Sequence, residues 1–266
     1  MAKVREGDLK PQVYRDPRPA EYFQPFHERA RKGVGIAYDL VRVILTLPTI
    51  AIFRTRAIGV EHVPLTGRVI VTPNHFSQMD HFLVAVYLRR KVQFMAKSQL
   101  FGNFLFNWVF RNGGVFPVRR GYNDLEAIKT AETVLDHERA LLMYAEGGRS
   151  RSGELGRPKR GLGKIALETG APVIPVAIHG SLGVRAWKRL QFPKVTIQYG
   201  EPISFPVNDE PSRAEQQRAA DQVFDQVRAM YVDLERNGRK SVLRRVREGL
   251  PARSREPRAP ASRHSS

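Results

Sequence analysis

The chain turns from strand to helix within Val69-Ile70-Val71-Thr72-Pro73-Asn74-His75-Phe76-Ser77-Gln78-Met79-Asp80. The apolar run at its start is typical of a buried strand, and residues 81–88 beyond it have a helix-like pattern. Pro73 and Asn74 supply a bend between the two elements. We therefore expect His75 in a loop after a strand, with Asp80 in the first turn of the next helix.

His75 and Asp80 are residue types that can form an acid–base pair. On one continuous helix, residues five apart are rotated by about 140°, so these side chains can meet only across a bend. A carboxylate that binds one imidazole nitrogen fixes the tautomer and leaves the other nitrogen as a general base. The alternative is a loop histidine near an acid that only favours the helix N-terminus.

Composition indicates a globular and strongly basic protein. The 266 residues are 42% hydrophobic, include no cysteine and carry a formal net charge of +18. The lack of cysteine excludes disulfides and thiolate metal sites, and the histidines show no metal-binding spacing, so we expect no metal. The charge requires an anionic partner, which could be nucleic acid, an anionic membrane surface or a phosphorylated substrate.

Changes in pattern divide the chain into four segments. Residues 1–25 are polar and contain several prolines, and we expect an extended arm. Residues 26–57 predict an amphipathic, membrane-associating helical segment, whose uninterrupted apolar part, residues 43–53, is about half the length needed to span a bilayer. The alternative is a helix packed on the protein's own core. Residues 58–235 form the main domain, and residues 236–266 predict a basic disordered tail.

Short apolar strands alternate with helices through the main domain. Strands are expected at residues 68–72, 92–96, 113–118, 140–144, 172–178 and 195–199, and helices at 81–88, 102–110, 125–139, 161–169 and 212–234. This alternation predicts an α/β fold whose mostly parallel central sheet is flanked by helices. Ligands bind such sheets at the carboxyl ends of the strands, where the loops 73–80, 119–123 and 145–153 are expected to meet.

The second and third of these loops are rich in arginine and glycine. Residues 146–150 read Glu-Gly-Gly-Arg-Ser, which combines hydrogen-bond donors, a turn-forming backbone and one acid. This combination suits a phosphate or another polar head group. Glu146 is expected to pair with one of the arginines and hold it in place. For each loop alone, the alternative is a solvated basic turn.

Four blocks of sequence resemble the glycerolipid acyltransferases that include 1-acyl-glycerol-3-phosphate acyltransferase. The blocks are Asn74-His75 to Asp80, Phe116-Pro117-Val118-Arg119, Glu146-Gly147-Gly148-Arg149-Ser150 and Val173-Ile174-Pro175-Val176. Their order and approximate spacing are similar to those of the family over about residues 58–205. The resemblance implies an acyltransferase.

The resemblance implies a mechanism in which His75 is the general base and Asp80 orients it. His75 would take the proton of a lysophospholipid hydroxyl as that oxygen attacks the thioester of acyl-CoA or acyl carrier protein. No acyl-enzyme and no cofactor beyond the acyl thioester is expected. His81 is an alternative base, although its place at the start of a buried helix favours a structural role.

The resemblance also implies substrate-binding roles for Lys97, Arg119, Glu146, Gly147, Arg149 and Pro175. Arg119 would grip the phosphate of the acceptor, Lys97 would lie near it, and Pro175 would shape the pocket. Glu146, Gly147 and Arg149 would help to hold the glycerol phosphate.

The expected product is phosphatidic acid, formed from 1-acyl-glycerol-3-phosphate at the cytoplasmic face of the cell membrane. Ala145 and Gly148 stand where proline and threonine are common in the family, which leaves another lysophospholipid or a glycolipid open as acceptor. The alternative from another class is a basic nucleic-acid-binding protein. The chain shows no RRM, KH or zinc-finger pattern, so we expect no specific nucleic-acid partner.

Overall fold

The computed structural model describes residues 16–120, 124–150, 152–184 and 192–248. Within these residues, seven strands form one sheet. They are β1 (Arg56–Ile58), β2 (Val69–Pro73), β3 (Val92–Lys97), β4 (Val115–Val118), β5 (Ala140–Leu142), β6 (Val173–His179) and β7 (Thr196–Tyr199). The helices are α1 (Gln24–Lys32), α2 (Ile36–Ile52), α3 (Asp80–Ala85), α4 (Phe104–Gly113), α5 (Leu125–Asp136), α6 (Gly161–Thr169) and α7 (Arg213–Arg247).

The sheet has the spatial order β1-β7-β6-β2-β5-β3-β4, and only β6 and β7 pair antiparallel among these neighbours. Val69 and Val71 of β2 face α2 and α3, whereas Ile70 faces α1, α5, α6 and α7. Burial on both faces explains why the strands are continuous apolar runs. The predicted α/β fold with a mostly parallel sheet is confirmed.

The topological switch point of the sheet lies between β2 and β5. These strands are parallel neighbours, but the helices that follow them along the chain pack on opposite faces of the sheet. Helix α3 packs on the first face and α6 on the second. Such a switch point opens a space at the carboxyl ends of the strands. The loops after β2 and β5 therefore meet there.

Strand β1 is absent from the sequence prediction. It has three residues, and only Ile58 is buried, so it lacks a recognisable apolar pattern. It forms as an edge strand because it pairs with β7 from the other end of the domain.

The segment before α1 is not an extended arm where the structure describes it. Asp16 pairs with Arg18 at 2.7 Å, and Arg18 donates to the carbonyl of Ser98 at 2.8 Å. Phe23 is 1% exposed and packs with Phe26 and Phe101. A few aromatic contacts thus fix a segment whose overall composition is polar. Residues 1–15 of the predicted arm lie outside the described residues.

Helix α7 continues beyond the predicted start of the disordered tail at Arg236. The chain bends at Gly238, where φ is +70°, a conformation that favours glycine. Val242 is then buried, and the buried Arg245 forms an ion pair with Asp233. The tail prediction is therefore wrong for residues 236–247, because long-range contacts outweigh their basic composition. Residues 249–266 lie outside the described part of the chain.

Helices α6 and α7 pack closely at Gly163. A Cβ atom at this position would lie 1.8 Å from the carbonyl oxygen of Gln216 and 3.1 Å from the backbone nitrogen of Ala220. Gly163→Ala must separate the two helices, so we expect the free energy of unfolding to fall by about 2 kcal/mol or more. Urea denaturation measures this change.

Gly161→Ala in the same helix is the matched control. Among the described residues, no atom other than those of its chain neighbours and of its own helix backbone lies within 4 Å of its Cβ position. We expect the free energy of unfolding to stay the same or to rise by up to about 1 kcal/mol. Equal losses of stability in the two variants would contradict the packing argument.

Candidate active site

His75 and Asp80 make the predicted contact. The distance from His75 Nδ1 to Asp80 Oδ2 is 2.9 Å, and the Asp80 side chain is fully buried. The same oxygen accepts the backbone N–H groups of Phe76 and Ser77, each at 2.7 Å. The carboxylate thus folds the loop back onto the first turn of α3. It holds Nδ1 as the donor, which leaves Nε2 of His75 as the proton acceptor.

Asn74 fastens the start of this loop to β6, a role that the sequence analysis missed. Its side-chain amide donates to the carbonyl of Ile178 at 3.1 Å, and its side-chain oxygen accepts the N–H of Ile178 at 2.7 Å. Asn74 is fully buried. The amide group thereby extends the sheet beyond Pro73, the last residue of β2. An asparagine directly after a buried strand was the available signal.

Glu146 holds the backbone of His75 instead of pairing with an arginine. Its Oε1 accepts the N–H of His75 at 2.9 Å, and its Oε2 accepts the N–H of Gly156 at 2.8 Å. Across the described residues, no ion pair includes Glu146. The expected arginine pair is wrong, because backbone N–H groups occupy both oxygens. Ser150 completes the link by donating its N–H to the His75 carbonyl at 2.9 Å.

Gly147 makes the turn that brings Glu146 back toward His75. Its φ is +67°, and its N–H donates to the carbonyl of Tyr144 at 2.9 Å. A Cβ atom at Gly147 would lie 2.9 Å from Cδ of Lys159. The positive φ therefore favours glycine at this position, whereas the flexible side chain of Lys159 could move away from a Cβ atom. The roles of Glu146 and Gly147 in holding glycerol phosphate stay predictions.

Tyr144 supports the catalytic pair and was not predicted as a site residue. Its ring stacks on that of His75 with 3.7 Å between ring centroids, and its hydroxyl lies 3.2 Å from Nδ1 of His81. Burial raises the pKa of Tyr144 well above its ordinary value, and burial lowers the pKa of His81 to about 4. His81 is thus a weak base, which favours its structural role.

The surroundings of His75 keep its imidazole neutral. Burial lowers the pKa of His75, Asp80 opposes that shift, and the positive charges of Arg149 and Arg120 lower the pKa further. A general base must be unprotonated at the working pH. The pKa of His75 is therefore shifted downward, which is the direction that keeps a general base unprotonated near pH 7.

Arg119 is directed away from this group. Its Nη2 donates to the carbonyl of Arg18 at 3.2 Å, and it borders a cavity of about 410 Å³ whose lining does not include His75. Arg119 follows β4, which lies three strands from β2, or about 14 Å at the usual strand spacing. Its role in binding phosphate stays a prediction. Residues 121–123 of the same loop lie outside the described residues.

Lys97 lies at the end of a strand, whereas Pro175 lies within one. Lys97 is half-buried at the carboxyl end of β3. Pro175 is buried within β6, where it lies opposite Thr72 of β2 and its carbonyl accepts the N–H of Gly200 at 2.8 Å. Pro175 is thus part of the sheet beneath the loops. The substrate-binding roles of both residues stay predictions.

Comparison with known proteins gives related sequences and one related fold. A chloroplastic 1-acyl-sn-glycerol-3-phosphate acyltransferase from Brassica napus is 27% identical over 132 residues, covering 48% of this chain and 38% of the relative. The 1-acyl-sn-glycerol-3-phosphate acyltransferase of Borreliella burgdorferi is 29% identical over 143 residues, covering 53% and 56%. The chain spans between 35% and 48% of the length of three of its curated relatives.

The crystal structure of the 1-acyl-sn-glycerophosphate acyltransferase PlsC from Thermotoga maritima has a similar fold. The TM-score is 0.56 at 22% identity, and the match covers 81% of this chain and 89% of that one. The acyltransferase family model matches residues 54–179, which include His75, Asp80, Tyr144 and Glu146. The site described above therefore lies within the part of the chain that matches the acyltransferase family model.

Proposed function

We propose that this protein transfers an acyl chain from acyl-CoA or acyl carrier protein to the free hydroxyl of 1-acyl-glycerol-3-phosphate, forming phosphatidic acid. The observation that carries the proposal is the 2.9 Å contact of His75 with the buried Asp80 within the part of the chain that matches the acyltransferase family model. The choice of acceptor is supported by the relatives from Brassica napus and Borreliella burgdorferi, which are 1-acyl-sn-glycerol-3-phosphate acyltransferases.

The proposed reaction uses His75 as a general base. Nε2 takes the proton from the acceptor hydroxyl while that oxygen attacks the thioester carbonyl. The carbon–sulfur bond then breaks, and the thiolate leaves with a proton from the imidazolium. Asp80 stabilises the imidazolium through Nδ1, and Glu146 keeps the backbone of His75 in place. The two substrates supply all the other reacting atoms, so we propose no cofactor.

We propose that α2 rests on the cytoplasmic face of the cell membrane, where a lysolipid acceptor resides. Its apolar side chains point outward, and the most exposed are Ile36, Val43 and Leu47 at 76%, 72% and 75%. The charged side chains of α2 are held by the protein, since Lys91 pairs with Asp39 and Arg42 donates to the carbonyl of Leu88. Such a face suits the lipid interface.

Neighbouring α4 adds exposed aromatic side chains to the same proposed surface. Helices α2 and α4 contact each other, and the exposed aromatic residues on α4 are Phe104, Phe106 and Trp108. Among the described helices, none is by itself both long and apolar enough to cross a bilayer. Residues 20–32 and 36–52 meet that test only as a pair, and their axes are bent by 82°.

The first test is the loss of the proposed base. We expect His75→Ala to lower acyl transfer by about 10²–10⁴-fold, which is the usual contribution of a positioned base. Acceptor-dependent release of CoA thiol from an acyl-CoA, with lysophosphatidic acid as acceptor, measures the rate. Circular dichroism and urea denaturation check that the variant folds.

His81→Gln is the comparison variant for this assay. We expect a much smaller loss of activity, because His81 contacts Tyr144 and does not contact Asp80 through a hydrogen bond in the described residues. The opposite order of the two losses would identify His81 as the base. Thiol release without any acceptor would indicate a thioesterase.

The pH dependence tests the electrostatics of the base. A neutral imidazole is required, so the rate falls when the pH drops below the pKa of His75, which burial and nearby arginines keep under the ordinary value of about 6.5. Arg149→Gln removes one positive charge that disfavours the imidazolium. We expect the acidic limb of the kcat profile to move to higher pH than in the parent protein.

The exposed Arg89 on the loop between α3 and β3 provides the matched control for this profile. Arg89 lies before the amino end of β3, whereas His75 follows the carboxyl end of β2. We therefore expect Arg89→Gln to leave the acidic limb in place. Because both variants use the same acceptor, the titration of its phosphate cancels in the comparison. An unmoved limb in Arg149→Gln would contradict the assignment.

Membrane docking is tested by charges on the outer face of α2. Val43 and Leu47 are exposed, so Val43→Glu with Leu47→Glu should keep the core intact. We expect about tenfold less protein to sediment with vesicles of phosphatidylglycerol and phosphatidylcholine.

Val207→Glu is the control for this experiment. Val207 is 64% exposed and lies beside α6, on the other face of the sheet. We expect the normal amount of this variant to sediment. Equal binding of all three proteins would mean that α2 does not contact the bilayer.

A further inference from the structure

Arg54, close to the end of α2, has an unusual backbone conformation. Its φ is +42°, in the left-handed region that arginine rarely adopts. The side chain of Arg239, in the bent end of α7, holds this residue, because its Nη1 donates to the carbonyl of Arg54 at 2.9 Å. Its Nε and Nη2 donate to Oγ1 of Thr196 and to the carbonyl of Val195, each at 2.8 Å. Long-range hydrogen bonds thus hold a strained turn in which the chain carries arginine, and such strain is a mark of functional segments.

This turn brings together the positive charges of Arg54, Arg56 and Arg239, which we call the arginine cluster. Arg54 and Arg56 are exposed. Burial lowers the pKa of Arg239, and the charges of Arg56 and Arg54 lower it further. Across the described residues, none of the three guanidinium groups forms an ion pair. Guanidinium groups that repel one another and have no carboxylate are suited to a ligand with phosphate groups.

The arginine cluster lies at the same edge of the sheet as the base. The first residue of β1 belongs to the cluster and pairs with Thr196 of β7, which in turn pairs with His179 at the end of β6. The ring of Tyr231 contacts the rings of His179 and Phe76, with centroid distances of 5.4 Å and 5.6 Å. Phe76 directly follows His75 in the loop after β2. The cluster therefore lies at the edge where ligands bind an α/β sheet.

The distance between the cluster and the base suits the acyl donor. Strand β1 lies three strands from β2, or about 14 Å at the usual strand spacing. In the proposed donors, a pantetheine arm separates the thioester from the nearest phosphate. The extended arm is about as long as five peptide residues, or roughly 17 Å. A donor whose thioester lies beside His75 can therefore place its phosphate at the cluster.

The cluster and the loop after β5 lie on opposite sides of β2. In the sheet, β5 is the neighbour of β2 on one side, and β6, β7 and β1 follow on the other. The loop after β5 contains Arg149, for which the family resemblance implies a role in holding the acceptor, and its charge acts on His75. Both substrates of the proposed reaction carry phosphate. Positive charge on each side of the base gives each substrate a separate place.

We propose that Arg54 and Arg56 bind the phosphate groups at the end of the pantetheine arm of the acyl donor, and that Arg239 positions them. The assignment rests on the proposed function for the identity of the donor. Coenzyme A and acyl carrier protein both attach pantetheine through a phosphate, which is the chemistry that the cluster recognises. These contacts anchor the donor while its thioester carbonyl lies beside His75.

Binding of coenzyme A, followed by isothermal titration calorimetry, tests the assignment without any need for turnover. We expect Arg56→Gln to weaken binding by about tenfold, as for the loss of a charge-assisted hydrogen bond. Arg56→Lys keeps the charge and should recover part of the affinity. The matched control, Arg89→Gln, removes the same charge before the amino end of β3 and should bind like the parent protein.

Arg54→Gly separates the binding site from the stability of the turn. Glycine adopts a φ of +42° without strain, so we expect an unchanged or higher melting temperature. The variant also lacks the guanidinium, so its affinity for coenzyme A should fall by about tenfold. Parent-like affinity in Arg54→Gly would contradict the role of Arg54.

Kinetics with three donors test the recognition of phosphate. We expect Arg56→Gln to raise the KM for acyl-CoA by about tenfold, with little change in kcat or in the KM for lysophosphatidic acid. The KM for an S-acylpantetheine, which lacks phosphate, should stay the same. An equal effect on acyl carrier protein would identify the phosphate on pantetheine as the contact. An effect confined to acyl-CoA would identify the phosphates of its nucleotide.

Four results would overturn the inference. They are failure of the parent protein to bind coenzyme A, parent-like binding by Arg56→Gln, an equal rise in the KM for the S-acylpantetheine, and a loss of vesicle sedimentation in Arg56→Gln without a loss of coenzyme A binding. The last result would assign the cluster to lipid head groups. A parent protein that binds coenzyme A through Arg56 but transfers no acyl chain would instead reject the proposed function and leave the phosphate site standing.

Discussion

One carboxylate oxygen, Oδ2 of Asp80, organises the site. It is fully buried and accepts hydrogen bonds from the His75 imidazole and from two backbone N–H groups of the intervening loop. A buried carboxylate is costly without such partners, so the loop is held in the one conformation that supplies them. That conformation fixes both the start of α3 and the tautomer of His75. The geometry of the base is thus a consequence of satisfying one buried carboxylate oxygen.

The backbone of His75 then joins the two loops at the switch point of the sheet. Glu146 accepts its N–H, and Ser150 donates to its carbonyl, so the loop after β5 is attached to the residue that carries the base. Glu146, which the resemblance associates with substrate binding, here accepts hydrogen bonds from the protein's own backbone. Because β2 and β5 are parallel neighbours, their ends lie close enough for these short bonds. The loop that positions the base also brings Arg149 near it.

The proposed membrane surface and the site share one face of the sheet. Helix α2 packs with α3 on the first face, and α3 begins at Asp80. A lipid acceptor in a bilayer beside α2 would therefore lie on the face of the sheet on which α3 packs. The exposed apolar side chains of α2 and the arginines at the strand ends would then serve the two ends of the same kind of molecule. An amphiphilic acceptor fits both features.

The sequence by itself determined the α/β fold, the strand–bend–helix arrangement around His75 and its contact with Asp80. These features depend on local periodicity, on proline and on side chains only five residues apart, and the sequence contains all of that information. Only the tertiary structure decided that Arg119 turns toward Arg18 and that Glu146 binds the backbone. It likewise decided that residues 236–247 fold back to bury Arg245 against Asp233. Each of these outcomes depends on contacts between groups that are distant in the sequence. Neither composition nor periodicity specifies such contacts.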